Sequence, residues 1–211
     1  MAVPVKLQPL AHEQHGVLTR AQVTIAGMTS SAINHQLRRG DWQRVLPRTF
    51  LTHGGPLTDQ SMDVAAVLYA GKGAMLSHES AGALYGWCQR PLIAQVSVPA
   101  SRRCASRQRV TVHRVVVLRG DVGYKGALPV ASPAFTFIQL LGSAATAGAA
   151  LALLGTADQS RLIDAEAVLA RCGPRVRWGS EIRCALPDVE SGSHSASKSS
   201  SFAAFVDMAC P

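Results

Sequence analysis

Residues 29–52 read TSSAINHQLRRGDWQRVLPRTFLT. Thr29 places a side-chain oxygen ahead of a short periodic run and Gly40 follows its end, so a helix is expected over Ser30–Arg39. Ile33 and Leu37 are four apart and share one face, which should enter a small core. Ser31, Asn34, His35 and Arg38 fall on the other face. Their donors and acceptors suit base edges or phosphates, and they equally suit a plain solvated face. Residues 42–45 and 50–52 are strand-like, with Pro47 and Arg48 in the turn between them. A basic hairpin directly after such a helix has the layout of a wing.

The flanking sequence extends this reading. Residues 7–16 form one short helix closed by Gly16. Thr19 and Gln22 have the spacing of a capping box, so a second helix starts at Arg20 and stops at Gly27. Leu18, Val23 and Ile25 are expected to join Ile33 and Leu37 in the core. Three short helices with tight glycine connections fit a helix-turn-helix. Over residues 1–56 the bases are Lys6, Arg20, Arg38, Arg39, Arg44 and Arg48, and the acids are Glu13 and Asp41. That local excess is the electrostatic footprint a nucleic-acid binder needs.

The whole chain agrees in sign. It has 211 residues, a formal net charge of +8, 47% hydrophobic and only 16% charged residues. Such a chain can build a sizeable core, and its basic excess points to a polyanion, with solubility alone as the alternative. The N-terminus lacks the pattern of a signal peptide. The longest apolar run, AATAGAALALLG, is too short to span a bilayer. A cytoplasmic protein without membrane contact is expected. Five cysteines (Cys88, Cys104, Cys172, Cys184 and Cys210) include no C-x-x-C pair, so neither a disulfide framework nor a zinc site is expected.

Beyond residue 52, HGGPLT reads as a linker and Thr58 as the cap of a helix running to Ala70. GKG at 71–73 is a turn that lacks the phosphate-loop pattern. Ser77 can cap a short helix ending at Gly86. Residues 94–99 and 109–114 alternate like strands. Arg102, Arg103, Arg107, Arg109, Arg114, Arg119 and Lys125, with Asp121 as the one acid among them, make a second basic cluster, either a contact for phosphates or an acidic partner, or a solvated loop. Ser132 followed by Pro133 marks a helix start. Further helices are expected to about 155, over 164–172 and over 180–186. Residues 190–201, ESGSHSASKSSS, read as a serine-rich linker before an apolar helix start.

Catalytic signals are weak. Ser77 and His78 are adjacent, and neighbours on a helix do not face one another; no G-x-S-x-G elbow is present. His12 and His15 are three apart but lack a third ligand. The acids between 158 and 190 are interspersed with arginines and do not cluster as a metal nuclease requires. No enzyme activity, cofactor or metal is expected.

The ordered series HGVLTRAQVTIAGMTSSAINHQLRRGDWQRV, AMLSHESAGALYGW, VSVP, VHR and LPVASPAFTFIQLL resembles AbiEi-like antitoxins over roughly residues 10–142. The resemblance implies an N-terminal winged helix and a DNA-binding transcriptional regulator. In complete systems that regulator represses its own operon and counteracts a nucleotidyltransferase-like toxin. Longer relatives continue into a Vsr-like endonuclease domain of the PD-(D/E)xK type, with a glutamate near the position of Lys198 here. The chain thus resembles such a protein ended before the metal-binding acids. Relatives carry glycine in the wing turn where this chain has Thr49, so the turn should be reshaped, and an acid where Gln139 stands.

The expected architecture is α+β: a winged helix-turn-helix over 7–55, a mixed α/β antitoxin-like domain over 60–175, and a serine-rich linker with a cut-short helix over 188–211. Double-stranded DNA is the expected partner, through Arg20, Ser30, Ser31, Asn34, His35, Arg38, Arg39, Arg44 and Arg48, and a nucleotidyltransferase-like toxin is a possible second one. An orphan regulator, or an inactive relative of the Vsr-like endonucleases, are the alternatives. The sequence carries no mark of oligomeric state.

Overall fold

The computed structural model describes residues 3–192. The fold is α+β, in two compact units. One comprises the chain up to Ala83 together with Gln89–Ser132; the other comprises Leu84–Cys88 and the chain from Pro133.

The first unit opens with a 3-10 turn, Val5–Leu7, and α1, Gln8–Glu13. A three-residue strand, β1 (Val17–Thr19), then leads into α2 (Arg20–Ile25). The capping box forms as its spacing predicts: the Gln22 amide donates to Thr19 Oγ1 at 3.2 Å, and the Thr19 amide donates to Gln22 Oε1 at 2.7 Å. α3 spans Ser30–Arg39, with the Thr29 side chain accepting from the Ala32 amide. It ends at Gly40, whose φ of 76° is the left-handed conformation that glycine adopts without a Cβ clash. β2 (Gln43–Leu46) and β3 (Thr49–Leu51) follow. The three strands make an antiparallel sheet in the order β1-β3-β2, with a register shift between Arg44 and Leu46.

Leu18, Val23, Ile33, Trp42 and Phe50 form the buried centre beneath these helices, and Leu37 packs half-buried against them. Ile25 does not join them; it is 87% exposed. Residues two apart on a helix point about 200° away from each other, so a two-turn helix that buries Val23 turns Ile25 to solvent. Ile25→Lys should therefore change stability by no more than about 0.5 kcal/mol, as for surface substitutions generally. Urea denaturation of the variant checks this; a loss of several kcal/mol would mean that Ile25 is covered.

The stretch read as a linker is held against the first sheet. Gln43 Nε2 donates to the carbonyls of His53 (3.2 Å) and Gly55 (2.6 Å). Thr58 caps α4 (Asp59–Ala70), accepting from the Ser61 amide, and Ser61 Oγ donates to the His15 carbonyl at 2.8 Å. α4 is buried on more than one side because it touches all three strands of the first sheet and also β4, β5 and β8 of a second. The second sheet comprises β4 (Met75–Leu76), β5 (Ala94–Pro99), β6 (Val110–Val115), β7 (Val122–Lys125) and β8 (Leu128–Ala131), in the order β6-β5-β4-β8-β7. β5 and β6 run parallel, as do β4 and β8; the other pairs are antiparallel. α5 (His78–Leu84) sits between β4 and β5 in sequence. The second sheet lies in the same unit as the N-terminal helices.

One ion pair fixes α4. The Asp63 side chain is 1% exposed, and Arg90 donates to both of its carboxylate oxygens, at 2.6 and 2.9 Å. Burial pushes the Asp63 carboxyl up, and the Arg90 guanidinium opposes it.

The second unit is helical: α6 (Pro133–Ser143), α7 (Ala147–Gln159), α8 (Ala165–Arg171) and α9 (Gly179–Gly192). Phe137, Leu141, Leu154, Val168, Ile182 and Leu186 fill its centre with Trp87. Trp87 Nε1 donates to Ser160 Oγ at 3.0 Å, so the indole is buried without losing its hydrogen bond. α9 runs past the expected end at 186, through the first residues of the segment read as a serine-rich linker. The rest of that linker, Lys198 and the apolar helix start lie outside the described residues.

Candidate nucleic-acid interface

The side chains singled out along α3 divide as its periodicity requires. Ile33 and Gln36 are buried, whereas Ser30, Ser31, Asn34, His35, Arg38 and Arg39 are exposed. Ser31, Asn34, His35 and Arg38 make no side-chain hydrogen bond or ion pair among the described residues, so their polar atoms are open to an incoming ligand. Arg39 is different. Its Nε lies 3.1 Å from Asp41 Oδ2 in an exposed pair, which offsets part of its charge.

Arg20 joins α3 to the hairpin. Its amide donates to the Arg48 carbonyl at 2.8 Å, and its Nη1 donates to Ser30 Oγ at 3.2 Å. Its guanidinium carbon stands 5.6 Å from the centre of the Phe50 ring, and that of Arg44 stands 5.9 Å from the same ring. Arg44 faces Phe50 directly across the β2–β3 pair. The ring is wholly buried, so it holds the stems of two cations in place while the Arg44 side chain remains exposed. Neither the platform role of Phe50 nor the burial of Gln36 was anticipated from the sequence. The register Arg44↔Phe50 supplies the first, and it depends on strand pairing rather than on spacing along the chain.

In the hairpin turn the positive φ falls on Arg48 and not on Thr49. Thr49 stays in β3, 1% exposed, while Arg48 takes φ 61°. Proline at position 47 restricts its own φ to the negative side, so the reversal of direction falls on the following residue. A side chain in this conformation costs about 1 kcal/mol or more relative to glycine. Arg48→Gly should therefore stabilise the fold by about 1 kcal/mol while removing one exposed cation. Paired denaturation and DNA-binding measurements test this, and a destabilised variant would contradict it.

The second basic cluster lies on an ordered frame. Arg102 Nε donates to the Ala70 carbonyl at 2.6 Å, Tyr69 Oη to the Ala105 carbonyl at 2.8 Å, and the Val112 amide to Ser106 Oγ at 2.9 Å. Arg103, Arg107, Arg109, Arg114 and Arg119 are exposed. Asp121 is buried, and its carboxylate accepts from the Leu118 amide.

Ser77 and His78 depart from the expectation that they face apart. Ser77 Oγ and His78 Nδ1 are 3.1 Å apart. Ser77 precedes α5 rather than lying within it, and His78 has φ 51°, which turns its ring back. The Ser77 hydroxyl is fully buried and so closed to a substrate. Among the described residues, no group of three or more His, Cys, Asp or Glu is placed to hold a metal ion, and no helix is long and apolar enough to cross a membrane.

No family model matches the chain, and no curated protein does. Among solved structures it is similar to the crystal structure of the RV2827C protein from Mycobacterium tuberculosis, with a TM-score of 0.58 and 16% sequence identity, over 87% of this chain and 75% of that one. At that identity the likeness shows a shared fold and carries no function.

Proposed function

We propose that the chain is a non-enzymatic transcriptional regulator that binds double-stranded DNA, with residues 7–55 acting as a winged helix-turn-helix. In this reading α2 and α3 are the helix-turn-helix, α3 enters the major groove, and β2–β3 is the wing. The supporting observation is the α3 face of Ser31, Asn34, His35 and Arg38, exposed and without partners among the described residues, beside Arg20 and Arg44 gathered over Phe50. Arg44 and Arg48 hold flanking phosphates. Ser30 orients Arg20 through their hydrogen bond. The motif series shared with AbiEi-like antitoxins supports a narrower version: a regulator that represses its own operon and counters a nucleotidyltransferase-like toxin.

The test is retardation of duplex DNA by the full chain over a range of salt. The full chain is needed because α4 packs on the three strands of the first sheet. Arg38→Ala should cost about 1–3 kcal/mol on a specific site if it reads a guanine. Arg44→Ala with Arg48→Ala should weaken all duplexes alike and reduce the salt slope by about 2, near 0.9 per phosphate lost. Unchanged affinity and slope in the double variant would sink the wing assignment. A neighbouring toxin gene, with rescue of its toxicity, separates an antitoxin from an orphan regulator.

A further inference from the structure

His78, the first residue of α5, and His113, in the edge strand β6, stack with ring centres 3.8 Å apart and planes 22° apart. They are 35 positions apart in sequence, and β5 lies between their elements: the Ser77 amide donates to the Gln95 carbonyl at 3.0 Å, and the Gln95 amide donates to Ser80 Oγ at 2.9 Å. Two further features mark the contact. His78 sits at φ 51°, a conformation that β-carbon-bearing residues avoid. His113 Nε2 is buried with no hydrogen-bond partner. A strained backbone and an orphaned polar atom within one contact are features that a purely structural aromatic pair would not need.

We propose that the His78–His113 stack is an acid-released latch that holds the start of α5 against the β6 edge of the second sheet. Two neutral imidazoles stack favourably at this distance; two imidazolium ions at the same distance repel and lack solvent. On α5, Glu79 is the acid whose field reaches both rings. On β5, the register partner of His113 is the uncharged, buried Ser97, flanked on that face by Gln95 and Pro99. On β6, Arg114 alternates to the opposite face and is exposed.

Burial, then the neighbouring His113, pushes His78 down to about 4, and burial also lowers His113. A histidine whose folded value lies below its unfolded one binds fewer protons when folded. The closed latch is thus fully favoured above about pH 6.5 and loses ground as pH falls from there towards 4.

Amide hydrogen exchange of the full chain at pH 7.5 and 5.0, corrected for intrinsic rates, reads the latch directly. Peptides over 78–84 and 110–115 should show an opening equilibrium about thirty-fold larger at pH 5.0, from the His78 shift alone, while peptides from α3 stay unchanged. In the double variant His78→Asn/His113→Phe no titrating ring remains; asparagine tolerates positive φ and phenylalanine keeps a ring against it, so the response should vanish. Equal opening at both pH values in the native chain, or a response that survives in the double variant, overturns the proposal. Should the double variant not fold, nuclear magnetic resonance titration of the native histidines decides. Rings that stay neutral to pH 5 and charge together with the loss of α5 protection sustain the latch, and rings that titrate near 6.5 without that loss refute it.

Discussion

Arg90→Ala should destabilise the first unit by about 3–5 kcal/mol, the cost of leaving one partner of a buried ion pair uncompensated. Asp63 is 1% exposed and receives both of its close donors from Arg90, which also contacts Asp59 from 3.3 Å. Without the guanidinium, the carboxylate must be buried charged or must take a proton. The loss therefore depends on pH. A carboxyl whose folded value lies above its unfolded one contributes stability at low pH that is lost as pH rises from about 4 through the folded value. Arg90→Ala should accordingly look worst at neutral pH and milder near pH 4.5. Urea denaturation at the two pH values checks both sign and size. The double variant Asp63→Leu/Arg90→Met, which removes both charges, should recover much of the loss. If Arg90→Ala cost under 1 kcal/mol at pH 7, the pair would be behaving as a solvated surface contact.

Phe50→Ala should cost about 3–5 kcal/mol, as large-to-small changes of buried aromatic residues do. The ring is 0% exposed and packs among Leu18, Val23, Ile33 and Trp42. Phe50→Leu separates its two roles. Leucine keeps most of the apolar contact, so the stability loss should shrink to roughly 1–1.5 kcal/mol. It cannot supply the ring face over which Arg20 and Arg44 are held. Under the proposed function, Phe50→Leu should weaken duplex binding at low salt while the protein remains folded, each cation–π contact contributing about 0.5–1 kcal/mol at an exposed site. Calorimetry at 25 °C alongside a thermal melt distinguishes the cases. Full affinity in a stable Phe50→Leu protein would show that the cations do not need the ring.

How much of this was legible beforehand varies with the range of the forces involved. The capping box of Thr19 and Gln22, the α3 span from Thr29 to Gly40, and the α4 span from Thr58 to Ala70 all appear where the residues place them. Each rests on a hydrogen bond three or four residues long or on one glycine conformation, and such signals are complete within a short window. The open α3 face follows from the same periodicity. The strands β1 and β4, three and two residues long, carried no signal of their own. The β7–β8 hairpin was hidden by Gly123 and Pro129, which argue locally against a strand; pairing in register overrides them.

The chain by itself therefore determined the starts of α2, α3 and α4 with their threonine caps, the polar face of α3 and the cationic balance, because these depend on neighbours in sequence and on composition. Only the tertiary structure decided that Ile25 faces solvent, that Arg48 rather than Thr49 carries the positive φ, that Arg44 lies over Phe50, and that Asp63 meets Arg90 and His78 meets His113. Those outcomes arise from which strand edges and helix faces come together. That choice is made by burying apolar surface across the whole unit, and no window of a few residues contains it.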